Sequence, residues 1–131
     1  MLNTTLPPAQ ADTDDALIEL ARFFAIAADS TQMCPMFSTY IDQAWHILLA
    51  TPDSYAQFSR DACGQVLGHQ ASLGDGRISW VPAYEARFGK LPPLWFADAT
   101  GTVDQAEYTT YRETGEVFHS WDCGPTTNDD D

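Results

Sequence analysis

Apolar residues recur at steps of three and four along most of the chain, the spacing of helices that each turn one face toward a core. Leu17, Ile18, Leu20, Ala21, Phe24, Ala25, Ile26 and Ala28 cover a wide arc. They predict a first, mostly buried helix that starts at Asp12 or Thr13 and ends near Asp29 and Ser30. Residues 31–38 follow as a loop with a non-helical Cys34-Pro35 step. Ile41, Ala44, Trp45, Leu48 and Leu49 then form one stripe of a second helix, which Pro52 must end. Thr51, Pro52 and Asp53 have the order of a helix start, cap then proline then acid. The third helix predicted from there carries Tyr55, Phe58, Ala62, Val66 and His69 on one side and turns back antiparallel to the second.

Ser72 to Arg77, SLGDGR, reads as glycine-rich turn sequence that stops this helix soon after His69. Trp80 to Phe88 predicts a fourth helix closed by Gly89, and Leu94, Trp95 and Phe96 form a short apolar cluster after a Pro92-Pro93 break. From Gly101 the pattern changes. Tyr108 to Arg112 and Val117 to Trp121 favour strands, and Thr114-Gly115 between them is a turn signal, so a β-hairpin is expected. A two-stranded ribbon is marginal alone in water and has to lie on the helical body or meet a partner. The expected fold is mainly α, a small orthogonal or antiparallel bundle of about four helices with a C-terminal β-hairpin. Residues 1–11 are expected to be a flexible lead-in, 12–123 one domain, and 124–131 a disordered acidic tail.

Two histidines fall within the informative central stretch. Asp42 and His46 are four apart on the second helix, within reach of each other. If the third helix folds back, His69 joins them, and two imidazoles with one carboxylate suit a divalent metal, iron or zinc first. The competing reading makes His46 a structural histidine held by Asp42 and His69 a polar residue near a helix end. Near the C-terminus, strand alternation puts His119, Trp121 and Cys123 on one side, as part of a metal site, a thiol nucleophile or a plain surface strand. Trp45, Tyr55 and Trp95, with His119, Trp121 and Cys123, are the candidates for an aromatic surface that meets a partner. Nucleotide-loop, nucleophile-elbow and zinc-protease motifs are absent from the sequence.

The run IDQAWH at 41–46, Tyr55 nine residues beyond His46, then Phe58, Gly64 and His69, resembles the conserved heart of the glycine-rich-domain-protein-like family in its bacterial members. The later run YEARFGKLPPLW, Tyr84 to Trp95, resembles the same family's Tyr-x-x-x-Phe-Gly-x-x-Pro segment. The resemblance spans roughly residues 38–96. It departs at Gly68, where the family has the first of two paired histidines, and at Ala71, where it has proline. It implies a shared fold and a histidine-lined site rather than a particular activity.

Six basic against nineteen acidic residues give a formal charge of −13 on 131 residues. That field repels phosphate backbones and anionic lipid, so direct contact with nucleic acid or a membrane is not expected. Three widely spaced cysteines fit reduced thiols better than a disulfide framework, and with no signal-like N-terminus they point to the cytoplasm. With no complete catalytic set in the sequence, the first expectation is an accessory or binding module acting on a protein or peptide. A small metal-dependent enzyme using His46, His69 and Asp42 is the alternative, and an acidic mimic of nucleic acid the second.

Overall fold

The computed structural model describes residues 13–126. Helix α1 (Thr13–Asp29) lies against α2 (Thr39–Leu49), α3 (Pro52–Cys63) and α4 (Val81–Phe88). Its buried positions Ala16, Leu20, Phe23, Phe24 and Ala27 follow helical spacing, so the helix inserts one continuous face into the core. Phe24 sets its ring 5.4 Å from Trp45 and 5.7 Å from Phe58, while Phe23 sits 5.1 Å from Trp80 and 5.9 Å from Trp95. One helix thereby joins the α2–α3 side of the core to the side built by α4 and the 3₁₀ turn Pro93–Phe96.

A carboxylate sits inside this aromatic core. Glu19 of α1 is buried and accepts hydrogen bonds from the Tyr84 hydroxyl and, at 3.0 Å, the Trp95 indole N–H. Arg22, one turn on, adds an ion pair at 3.1 Å. Each donor comes from a different element, so the buried charge fixes α4 and the 3₁₀ turn on α1 as well as being stabilised by them.

The fold is mainly α with a two-stranded antiparallel ribbon, as the sequence predicts, but three elements differ from expectation. The third helix stops at Cys63, because Gly64 takes the left-handed conformation, φ 84°, of a helix C-terminus. Residues beyond it form strand β1 (Gly68–Arg77) where a helix end and a turn are expected. Tyr108 to Arg112 lie not in a strand but in helix α5 (Gln105–Thr114). Its ends outweigh the strand preference of its Tyr and Thr residues: the Asp104 carboxylate caps the Glu107 N–H at 3.0 Å, and Gly115 closes the helix at φ 78°. Strand β2 (Phe118–Thr126) therefore pairs with β1 rather than with its own neighbour, and it runs past residue 124, where the sequence suggests a tail. The expected lead-in 1–11 and the last residues 127–131 lie outside the described part.

In the ribbon, Ala71 pairs with Cys123 and His69 with Pro125, and a β-bulge between Ala71 and Gly74 restores the register at Gly74 opposite Trp121. A Cβ at Gly74 would come within 2.6 Å of the Trp121 ring, so glycine is what lets the indole lie flat across β1. The ribbon does not stand free: Met36 N–H, in the loop before α2, donates to the Cys123 carbonyl at 3.0 Å, and Cys123 and His69 touch Asp42 and Trp45 of α2. Among the described residues, no helix is long and apolar enough to cross a membrane.

Replacing Glu19 with alanine leaves the Tyr84 hydroxyl and Trp95 N–H buried without an acceptor, and unfolding free energy falls by about 2–5 kcal/mol. Glu19→Gln, which keeps an acceptor oxygen, costs less than half as much. Urea denaturation followed by tryptophan fluorescence measures both, and an alanine variant within about 0.5 kcal/mol of wild type contradicts the assignment.

Candidate metal centre and groove

Helix α2 supplies the first two side chains. Its N-cap Ser38 accepts the Ile41 N–H at 3.2 Å, which sets where the helix begins. Ile41, Ala44 and Trp45 then face the core, and Asp42 and His46 border that face one turn apart. His46 Nδ1 lies 3.5 Å from Asp42 Oδ2.

His69 arrives from β1. Its path is set by the turn after α3, where the buried Ser59 hydroxyl donates to the Gln65 carbonyl at 2.6 Å and accepts the Leu67 N–H at 2.9 Å. The Tyr55 hydroxyl donates to the Leu67 carbonyl and accepts the Trp45 indole N–H at 3.3 Å. These bonds tie α2, α3 and the entry to β1 together two residues before His69. The His69 ring then packs edge-on against Trp45, centroids 4.6 Å apart and planes at 83°.

The result is a three-group cluster. His46 Nε2 and His69 Nε2 are 3.0 Å apart, and His69 Nε2 is 3.9 Å from Asp42 Oδ1. One donor atom from each of the three lies within 4.8 Å of the others. The sequence puts His69 on a helix and the structure puts it on a strand, yet the two imidazoles do meet. Burial, and then the neighbouring His46, push the His69 pKa below its ordinary value, outweighing Asp42 and Asp122. His69 is therefore neutral at pH 7, the form that offers a lone pair to an ion. Without an ion, one ring must donate to the other across the 3.0 Å contact.

Cys123 of β2 meets Asp42. Its buried thiol donates to Asp42 Oδ1 at 3.2 Å. Burial, and next the Asp42 carboxylate, raise its pKa, so it stays a thiol. This argues against the free nucleophile that the sequence left open. Asp42, Cys123 and Asp122 make a second set with donor atoms within 4.8 Å of one another.

Beside Asp42 opens a groove of about 670 Å³ whose walls include Phe37, Asp75, His119, Trp121 and Asp122. His119, Trp121 and Cys123 share the inward side of β2, as alternation predicts. The His119 ring is oriented by its Nδ1–H, which donates to the Ser120 carbonyl at 2.7 Å, and its Nε2 faces the Glu107 carboxylate at 3.6 Å. Burial raises the Glu107 pKa and His119 opposes that rise. The sequence gives no signal for this pair, because Glu107 sits in a segment read as the approach to a strand.

The remaining aromatic candidates belong elsewhere. Trp45, Tyr55 and Trp95 are buried, each held by an internal hydrogen bond, so the surface expected of them does not exist and they serve packing. Only Trp121 and His119 of the expected aromatic set reach the groove.

Cysteine exposure gives a direct check on this placement. Cys63 is partly exposed while Cys34 and Cys123 are buried. A bulky thiol reagent is expected to label Cys63 in the native protein and the other two only on unfolding. Equal labelling rates at all three, read by peptide mass mapping, would contradict it. Set against known proteins, the chain stands on its own residues: no family model matches it, and no curated protein or solved structure is significantly similar to it.

Proposed function

We propose that this chain is a metal-binding module. One divalent ion of the zinc or iron class is held by Asp42, His46 and His69, and a basic protein or peptide segment docks in the adjoining groove. The observation that carries the metal reading is the approach of His46 Nε2 to His69 Nε2, 3.0 Å, beside the Asp42 carboxylate. Two imidazole nitrogens on one zinc ion stand about 3.3 Å apart, from Zn–N bonds of about 2.0–2.1 Å at a tetrahedral angle. The two imidazole nitrogens need to move only a few tenths of an ångström to take an ion, and the Asp42 oxygen, 3.9 Å from His69 Nε2, has to close in further.

The groove supports the docking half. Asp42, Asp75 and Asp122 line it beside the Trp121 indole, on a chain of charge −13. A lysine or arginine side chain finds carboxylates and an aromatic face there. A metal-dependent enzyme is the second reading, favoured by one observation: Asp42 belongs to both the donor cluster and the groove wall, so an ion on three protein ligands keeps a free position near a groove-bound molecule.

Protein purified without added metal and titrated with zinc in a calorimeter is expected to bind one equivalent. His46→Ala and His69→Ala each weaken that binding by about 100-fold or more, since each removes one of three ligands. Wild-type protein that takes up no zinc, or a His46→Ala variant that binds as tightly, defeats the metal reading. A lysine-rich peptide is expected to shift Trp121 fluorescence, with an affinity that falls as salt rises and falls further in Asp75→Asn/Asp122→Asn. An affinity indifferent to both defeats the docking reading.

A further inference from the structure

A second cavity, of about 380 Å³, adjoins the groove beside Asp42. Phe37, Thr39 and His119 line both, with the Phe37 and His119 rings 5.5 Å apart. The floor of the second cavity is apolar and includes the buried Phe96 and Val103, while Asp98, Asp104 and Glu107 supply carboxylates around it. Hydrogen bonds from the Thr100 hydroxyl, then from the Thr102 and Thr100 N–H groups, hold the Asp98 pKa below its ordinary value, so it keeps its charge. The N-terminus of α5 brings about half a positive charge to the same place, which these carboxylates exceed. All six lysines and arginines lie among the described residues, and none of them lines either cavity. Arg22, Arg87 and Lys90 pair with Glu19, Asp29 and Glu85 instead. No three of Asp98, Asp104, Glu107 and His119 bring donor atoms within 4.8 Å of one another, as a metal would need. Carboxylates spread around an apolar floor suit a charged head on an alkyl stem rather than a bare ion.

Resting on the docking reading above, we infer that the second cavity is a further subsite of the same surface, and that the segment recognised is an extended peptide with two basic side chains, one for each cavity. The first enters the groove at Asp75, Asp122 and Trp121. The second passes the His119 ring, lays its stem on Phe96 and Val103, and sets its head among Asp98, Asp104 and Glu107. The larger groove, about 670 Å³, has room for peptide backbone beside a side chain, which a bare diamine would leave unfilled. A second copy of this chain does not fit, because two surfaces of charge −13 repel. Two-point contact makes the spacing of the basic residues a determinant of which segment is held. None of Asp42, His46 and His69 lines the second cavity, so it fills independently of the metal centre.

Synthetic peptides of equal length test this, one with a single lysine in a glycine–serine chain and a series with a second lysine placed progressively further away. At its best spacing the two-lysine peptide is expected to bind wild-type protein about 10-fold or more tighter than the one-lysine peptide, as a tethered second contact does. In nitrogen-15 amide spectra it is expected to move the signals of Asp98, Asp104 and Glu107 as well as those of Asp75 and Trp121. Asp104→Asn/Glu107→Gln, in which the asparagine still caps α5, is expected to remove the advantage of the second lysine. A two-lysine peptide that binds no tighter at any spacing, keeps its advantage in the double variant, or leaves Asp98, Asp104 and Glu107 unmoved overturns the second subsite alone. A free α,ω-diamine that binds as tightly as the best peptide overturns the peptide as occupant. Lysine peptides that do not bind at all, or bind regardless of salt, overturn the docking reading on which the subsite stands. If the double variant misfolds, the wild-type affinities and spectra still decide the matter.

Discussion

The candidate site depends on one long-range constraint, the antiparallel pairing of β1 with β2 in a register that sets Ala71 opposite Cys123. Neither strand has much reason to exist alone. β1 is rich in glycine and exposes much of its length, and β2 is a single edge until it finds a partner. Their pairing, seated on the loop before α2 through the Met36 to Cys123 bond, holds His69 and Cys123 over Asp42 and His46. A one-residue slip of β1 against β2 would turn His69 to the opposite side of the ribbon. The bulge between Ala71 and Gly74 is part of this arrangement, because it brings Gly74 under Trp121 at the groove wall while leaving the donor register intact.

The helical body supplies a rigid floor for that pairing. Glu19 gathers Tyr84, Trp95 and Arg22 into one buried network, and Phe23 and Phe24 join the two halves of the core. The link from core to site runs through Trp45. Its indole is held by Tyr55, and His69 packs against that indole in a T-shaped contact. The His69 ring is thus placed by packing before any ion arrives, which lowers the ordering cost of binding.

How much of this was legible in the sequence depended on the range of the forces involved. Helices α1, α2 and α4 follow from local apolar spacing, and the Asp42–His46 pair follows from a four-residue step on α2. Val66 and His69 continue the helical spacing of α3 beyond its end, while Gly64, a left-handed C-cap, carries the true stop. In α5, tyrosine and threonine pointed to a strand, and the Asp104 cap with Gly115 at the far end outweighed them. β1 had no local signature, since residues such as Gly68, Gly74 and Gly76 gain from being in a strand only once β2 lies alongside. Alternation placed His119, Trp121 and Cys123 on one side correctly, but the approach of Cys123 to Asp42 needed the distant pairing and so was out of reach. That His69 met His46 by way of a strand rather than a helix shows that the two histidines shared a neighbourhood, while the route between them was not encoded locally.

The central claim is that His46 and His69 point their Nε2 atoms into one shared position beside Asp42. Nitrogen-15 imidazole spectra recorded through a zinc titration test it most directly. The account predicts that the Nε2 signals of His46 and His69 move together and saturate at one equivalent of zinc, while those of His119, oriented by Ser120 and Glu107, stay in place. Zinc that perturbs His119 alone, or leaves His46 and His69 unchanged at one equivalent, would contradict it.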